Sequence, residues 1–175
     1  MKTISPNKNY IYHSTQRKNV NSILEQGITS IDTSVDSQLI IDVLKKLDYE
    51  DYFPFCRTDV NYFGIHEEFV EYDLNLEEFD TNSAFIVVDV RNIDSPMYIA
   101  DMSLSSKILD YACAGEWILR NYESIEEVIQ AYKKSIFKID KISDIYKYDE
   151  KINGTGELII DGDIPPEKIV NVIQN

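Results

Sequence analysis

Cysteine occurs only twice in 175 residues, at Cys56 and Cys113, too few and too isolated for a disulfide framework or a cysteine-rich zinc site. Glycine occurs six times and proline five, and no Pro/Gly/Ser-rich stretch marks a linker. There is no internal repeat, no low-complexity tract and no Gly-rich Rossmann or P-loop signature. No run of 18 apolar residues exists, and the opening MKTISPNKNY lacks the apolar core of a signal peptide. Base is scarce as well: 17 Lys and Arg stand against 31 Asp and Glu, a net charge of −14. Such a surface repels nucleic acid and anionic membranes at long range, which counts against a general DNA binder. These absences lead us to expect one domain over residues 1–175 in a reducing cytoplasm, with no membrane partner and no metal.

Tyrosine is abundant, with 12 copies against 7 Phe and 1 Trp. Its flat ring and polar tip suit half-buried strands and ligand pockets alike. The charge is unevenly spread. Residues 1–24 carry Lys2, Lys8, Arg17 and Lys18 and no acid, whereas 66–80 hold seven acids and no Lys or Arg. Residues 133–151 are rich in lysine through Lys133, Lys134, Lys138, Lys141, Lys147 and Lys151. An anionic ligand is therefore expected near the first and third of these stretches.

YIYH (10–13) reads as a short strand, with Ser14 and Thr15 as N-cap candidates for a helix through Val20, Ile23 and Leu24 that ends at Gly27. Residues 37–51 give an amphipathic helix. Residues 52–65, aromatic and broken by Pro54, suit an irregular edge segment or loop better than a central strand. SAFIVVDVRNI (83–93) has the continuous apolar run of a buried strand, and 95–103 give another after a proline turn. Helices are expected over 105–121 and 124–139, the second opening on a Ser124/Glu127 capping box. A strand over 157–161, a turn at Gly162 and Asp163 and a closing segment complete an α+β chain without βαβ alternation.

Four residues carry chemical interest. His13 ends the first strand, Arg57 lies in the aromatic loop, Tyr62 follows five residues later, and Glu157 opens the last strong strand. A lone histidine is more often structural, and a lone arginine is usually a solvated loop charge. Glu157 is harder to dismiss, because a carboxylate entering a buried strand costs several kcal/mol unless paired or hydrogen-bonded. An acid held there is a functional-site candidate.

YHSTQRKNVNSILEQGI resembles the opening of the ADP-ribosyltransferase superfamily, in particular the DarT-type DNA ADP-ribosyltransferase toxins, at Tyr12, His13, Thr15, Asn19, Ile23, Leu24 and Gly27. YFPFCRTDVNYF is similar to the family's next loop through Phe53, Pro54, Phe55, Arg57 and Tyr62. GELIIDGDIPPEKI resembles its closing block through Glu157, Ile164, Pro165 and Ile169. The resemblance implies a split β-sandwich of short strands flanked by helices, with NAD as substrate and no metal. It implies that His13 bonds the ribose or nicotinamide side of NAD and that Ser14 backbone groups hold the nicotinamide amide. Thr15 belongs to the same set, Asn19 fixes the nucleotide, and Tyr62 or Tyr98 stacks on the nicotinamide ring. Arg57 contacts the pyrophosphate or the acceptor, and Glu157 stabilises the positive charge that develops as nicotinamide leaves. The implied partners are single-stranded DNA or a protein acceptor, and an antitoxin.

The chain also departs from that pattern. RTDVNY stands where the toxins have RSPMLY, and Asp59 adds a negative charge beside Arg57. Thr155 stands two residues before Glu157, where arginine-modifying ADP-ribosyltransferases carry Glu or Gln, so arginine is not the expected acceptor. RNA 2′-phosphotransferases share a histidine opening but rely on several arginines, and this chain has four: Arg17, Arg57, Arg91 and Arg120. Two other readings stand beside the transferase. One is a binding module that keeps the fold without the reaction; the other is an unrelated α+β domain.

Overall fold

A computed structural model describes residues 9–30, 35–47, 61–64, 82–115, 119, 122–148, 152 and 156–174. Seven strands form one sheet: β1 (Tyr10–Gln16), β2 (Asn61–Gly64), β3 (Ser83–Asp89), β4 (Met97–Asp101), β5 (Phe137–Ile139), β6 (Gly156–Ile160) and β7 (Ile169–Ile173). Their order is β5-β4-β6-β2-β1-β3-β7, and each neighbouring pair is antiparallel. Among the described residues four helices accompany them: α1 (Val20–Gln26), α2 (Val35–Lys46), α3 (Met102–Ala114) and α4 (Ile125–Ser135). The expected α+β class is what the chain adopts.

The pairing is uneven, and the unevenness places the candidate site. β1 pairs with β3 along all seven of its residues, whereas among the described residues its register with β2 is the pair Tyr12↔Gly64, and from His13 to Gln16 it has no ladder pair with β2. Beyond Tyr12 the described sheet thus divides into a β5-β4-β6-β2 block and a β1-β3-β7 block.

Alternating side chains give the sheet two unlike faces. On one face a single core runs across both blocks, from Ile11, Ile86 and Val88 through Phe63 to Leu158, Ile160, Ile99 and Met97. The other face carries two separate clusters. Helices α2, α3 and α4 cover Ala100 and Ile159 with Ile40, Leu44, Ile108, Val128, Ile129 and Tyr132. Tyr12, Phe85 and Val87 pack by themselves with Tyr10 and Ile173. Among the described residues the core is therefore in two parts on the face covered by α2, α3 and α4 and continuous on the opposite face.

Local sequence explains most elements. SAFIVVD is buried along its centre, as its continuous apolar run requires. In α4, Ile125, Val128, Ile129 and Tyr132 fall on one buried stripe, and Ser124 Oγ accepts from the Glu127 N–H at 3.3 Å. Glu127 Oε2 in turn accepts from the Glu123 N–H at 2.8 Å, one residue outside the expected box. α3 is capped by Asp101, which accepts from the Ser103 N–H at 2.9 Å, and it ends at Gly115 with φ +82°. α2 stops at Lys46, short of the expected 51, and residues 48–50 lie outside the described residues.

Three expectations need correcting. Ser14 and Thr15 do not cap a helix: β1 runs on to Gln16, a 3-10 turn covers Arg17–Asn19, and Asn19 stands at the cap position without a side-chain cap bond. The pairing of β1 with β3 wins over local capping. The end of the aromatic stretch, Asn61–Gly64, is a central strand between β6 and β1, because Pro54 lies seven residues upstream and removes no ladder bond there. The expected helix over 124–139 stops at Ser135, because Phe137–Ile139 pairs with β4 as β5, while the closing segment supplies β7, an edge strand with a register shift between Val87 and Val88 of its partner.

At the end of β3, Asp89 holds Arg91 through its backbone N–H at 3.0 Å and through Nε at 2.9 Å. The Arg91 side-chain hydrogen bonds keep the Asp89 carboxyl below the usual carboxylate range. A folded-state value below the unfolded one contributes stability above the unfolded value, and that contribution disappears as pH falls through the folded value. Asp89→Asn is expected to be slightly less stable than the parent at pH 7, with the difference disappearing as pH falls through the folded-state value of the carboxyl. Urea midpoints along a descending pH series check this, and the effect stays small because Arg91 is exposed.

Candidate functional site

Glu157 is the second residue of β6 and is 6% exposed. It pairs with Ala100 on one side and Gly64 on the other, and Gly64 pairs with Tyr12. One row thus runs Ala100–Glu157–Gly64–Tyr12 across the split, with all four on the helix-covered face. Gly64 adds no side chain to that row, and two strand spacings put the Glu157 and Tyr12 backbones about 10 Å apart. The next row holds Tyr98, Ile159 and Tyr62, so both candidate stacking tyrosines share the face of Glu157. Both are half-buried against the helix-side core.

The carboxyl of Glu157 is held from α4. Tyr132 Oη donates to Glu157 Oε1 at 2.6 Å, and the Tyr132 carbonyl accepts from Ser135 Oγ at 2.7 Å. Ser135 Oγ accepts in turn from the Asp101 N–H at 3.1 Å, where β4 passes into α3. Tyr132, Ser135, Asp101 and Glu157 are all buried, so this chain of bonds supplies partners that buried polar groups require. Sequence reasoning missed Tyr132, because a tyrosine on the Ile125–Val128–Ile129 stripe reads as core. The available signal was its hydroxyl, which needs a partner once buried. Tyr132→Phe removes this donor and is expected to cost about 1–3 kcal/mol of stability, measured as a lower urea midpoint at unchanged m-value.

His13 lies one residue past the junction pair. The pleat starts its side chain on the face opposite Glu157, and the ring contacts Phe63 with centroids 5.5 Å apart. Its Nδ1 reaches the Tyr62 carbonyl at 3.2 Å, so His13 spans from β1 to β2 beside the split. A carbonyl can only accept, so in this bond Nδ1 is the donor.

Ser14 is exposed and Thr15 half-buried, both on the part of β1 beyond its single pair with β2. Exposed Asn19 directs Nδ2 at Thr15 Oγ1, 3.4 Å away. The fold therefore gathers Glu157, Tyr62 and Tyr98 on one face of the split and His13, Ser14, Thr15 and Asn19 along its β1 edge. Arg57, Asp59 and Thr155 lie outside the described residues. Among the described residues no cluster of His, Cys, Asp and Glu could hold a metal ion, and no helix is long and apolar enough to cross a membrane.

No family model and no curated protein matches the chain. Among solved structures the chain is similar to DarT of Thermus sp. 2.9 in complex with NAD+, at TM-score 0.48 and 9% identity over 97% of this chain and 83% of that one. The same protein in complex with carba-NAD+ gives 0.48 and 10% over 96% and 83%. Thermosipho africanus DarTG in complex with ADP-ribose gives 0.49 and 16% over 95% of this chain and 44% of that one. Identities this low carry no residue-by-residue correspondence.

Proposed function

We propose that this chain is an NAD-dependent mono-ADP-ribosyltransferase that modifies a macromolecule, with a nucleic-acid base as the favoured acceptor and a toxin or defence effector as its role. The observation that carries the reading is Glu157: a buried acid, fixed by Tyr132 at 2.6 Å, one strand from where the described parts of β1 and β2 separate. A carboxyl is costly to bury and weakens a strand for no packing gain, so its position calls for a chemical reason. The order of the three sequence blocks around His13, Arg57 and Glu157 supplies the class of reaction.

In that reaction the acceptor's nucleophile attacks C1′ of the nicotinamide ribose as the C1′–N1 bond breaks. Nicotinamide leaves with the bonding pair as a neutral molecule, and the acceptor's proton passes to Glu157 or water. Glu157 faces the positive charge that develops on the ribose, and a fixed carboxylate there lowers the barrier electrostatically. It can also take the acceptor's proton. Ser14, Thr15 and Asn19 offer hydroxyl and amide groups to the nucleotide, His13 its ring to the ribose or nicotinamide side, and Tyr62 or Tyr98 a ring to the nicotinamide. Arg57 is assigned to the pyrophosphate or the acceptor. Lys138, exposed on edge strand β5 and paired with Tyr98, supports an anionic acceptor on this side. We place the activity in the cytoplasm, with an antitoxin as regulatory partner.

A second reading, a binding module without the reaction, is favoured by the net charge of −14. The deciding experiment supplies NAD labelled on its adenosine half with single-stranded DNA, RNA or whole-cell protein, alongside Glu157→Ala. Label on one acceptor class, absent with the variant, is the expected result. No label on any acceptor, with no NAD-induced thermal shift, would overturn the transferase.

A further inference from the structure

Just past the β1 edge of the split, Arg17 is half-buried, and two of its guanidinium nitrogens are shut off from solvent. These are Nε and Nη2, and neither has a hydrogen-bond partner among the described residues. Together they form the edge of the guanidinium that grips a phosphate or carboxylate through two parallel N–H bonds. A guanidinium edge buried without an acceptor is unfavourable, and native proteins rarely leave one so. The backbone is firmly placed, since the Arg17 N–H donates to the Asn82 carbonyl at 2.6 Å and the Arg17 carbonyl accepts from Val20.

Position identifies the missing acceptor. Exposure alternates along β1 and through Arg17: His13, Thr15 and Arg17 are half-buried while Ser14, Gln16 and Lys18 are exposed. Arg17 therefore follows His13 and Thr15 on one side of the chain, and residues 1–24 contain no acid that could neutralise it locally.

The geometry points to Arg17 as an anion site for a phosphate group, carried either by the nucleotide substrate or by a nucleic-acid acceptor. This rests on the proposed transferase only for the identity of the phosphate's owner. The inward edge of Arg17 by itself calls for an anion.

The test compares the parent with Arg17→Met and Arg17→Lys, using inorganic pyrophosphate, ADP-ribose and a single-stranded oligonucleotide as probes. Pyrophosphate is expected to raise the parent's melting temperature, and Arg17→Met to weaken its binding about tenfold or more. Arg17→Lys should recover little, because an ammonium cannot present the fork. Without any anion, Arg17→Met should be as stable as the parent or more so, since it removes a guanidinium edge buried without a partner among the described residues. Dependence on Arg17 for ADP-ribose assigns the phosphate to the nucleotide, and dependence for the oligonucleotide alone assigns it to the acceptor. An anion-free Arg17→Met that is destabilised, with probe binding unchanged, would show a structural ion pair and overturn the proposal. Arg17-dependent binding of pyrophosphate by a protein that never releases nicotinamide would sink the transferase and leave the anion site standing.

Discussion

Glu157→Gln is expected to lower nicotinamide release by roughly 100- to 1,000-fold while leaving the protein folded. The substitution keeps the shape of the side chain and an oxygen that can accept from Tyr132 Oη, so the 2.6 Å bond to α4 has a successor. In the proposed reaction it removes the negative charge set against the ribose, a charge that acts mainly in the transition state, when the ribose becomes cationic. The loss should therefore appear in kcat, with KM for NAD little changed. Stability should hold or rise, because Glu157 is 6% exposed and a buried charge is expensive to keep. Initial rates together with a melting curve separate this from unfolding. Equal rates for parent and variant would remove Glu157 from the chemistry.

Gly27→Ala is expected to be the most damaging small substitution away from the site. Gly27 ends α1 at φ +86°, and a Cβ placed there would lie 2.1 Å from the Ile164 carbonyl oxygen and 3.2 Å from Pro165 Cα. Both obstacles are backbone, so no side chain can swing aside. They are also fixed, because Ile28 and Ile164 exchange N–H···O bonds of 2.9 and 2.8 Å. Left-handed strain and overpacking together imply a loss of roughly 2–5 kcal/mol, a large share of a small domain's stability. Gly115→Ala is the matched control: φ is +82°, yet nothing lies within 4 Å of the added Cβ, so only about 1–2 kcal/mol of strain applies. Urea unfolding of both variants checks the difference, and equal losses would show that the contact with Ile164 is not the cause.

Much of this could be read from the chain because local and global demands agree at the relevant residues. The run from Ala84 to Val88 is apolar on both faces and is buried on both. Gly27 stands where a helix stops, and Ser124 stands where one starts. The reading failed where pairing decides the structure. Asn61–Gly64 becomes a central strand because β6 and β1 lie on either side, and Pro54 hides that. Phe137–Ile139 is too short to stand out beside the helix before it. Glu157 was visible as an acid at the mouth of an apolar strand, whereas Tyr132 was not, since its bond joins residues 25 apart. The fork of Arg17 has no sequence signature at all; it depends on what surrounds the side chain.

Among the described residues, the pair Tyr12↔Gly64 is where β1 parts from β2. On the face of Phe63 one core, to which α1 adds Val20, runs across both blocks. On the Glu157 face the described core residues fall into two clusters, and past Tyr12 the described part of β1 has no ladder pair with β2. A molecule lodged between Glu157 and β1 would act there as a rivet, carrying load that the ladder does not.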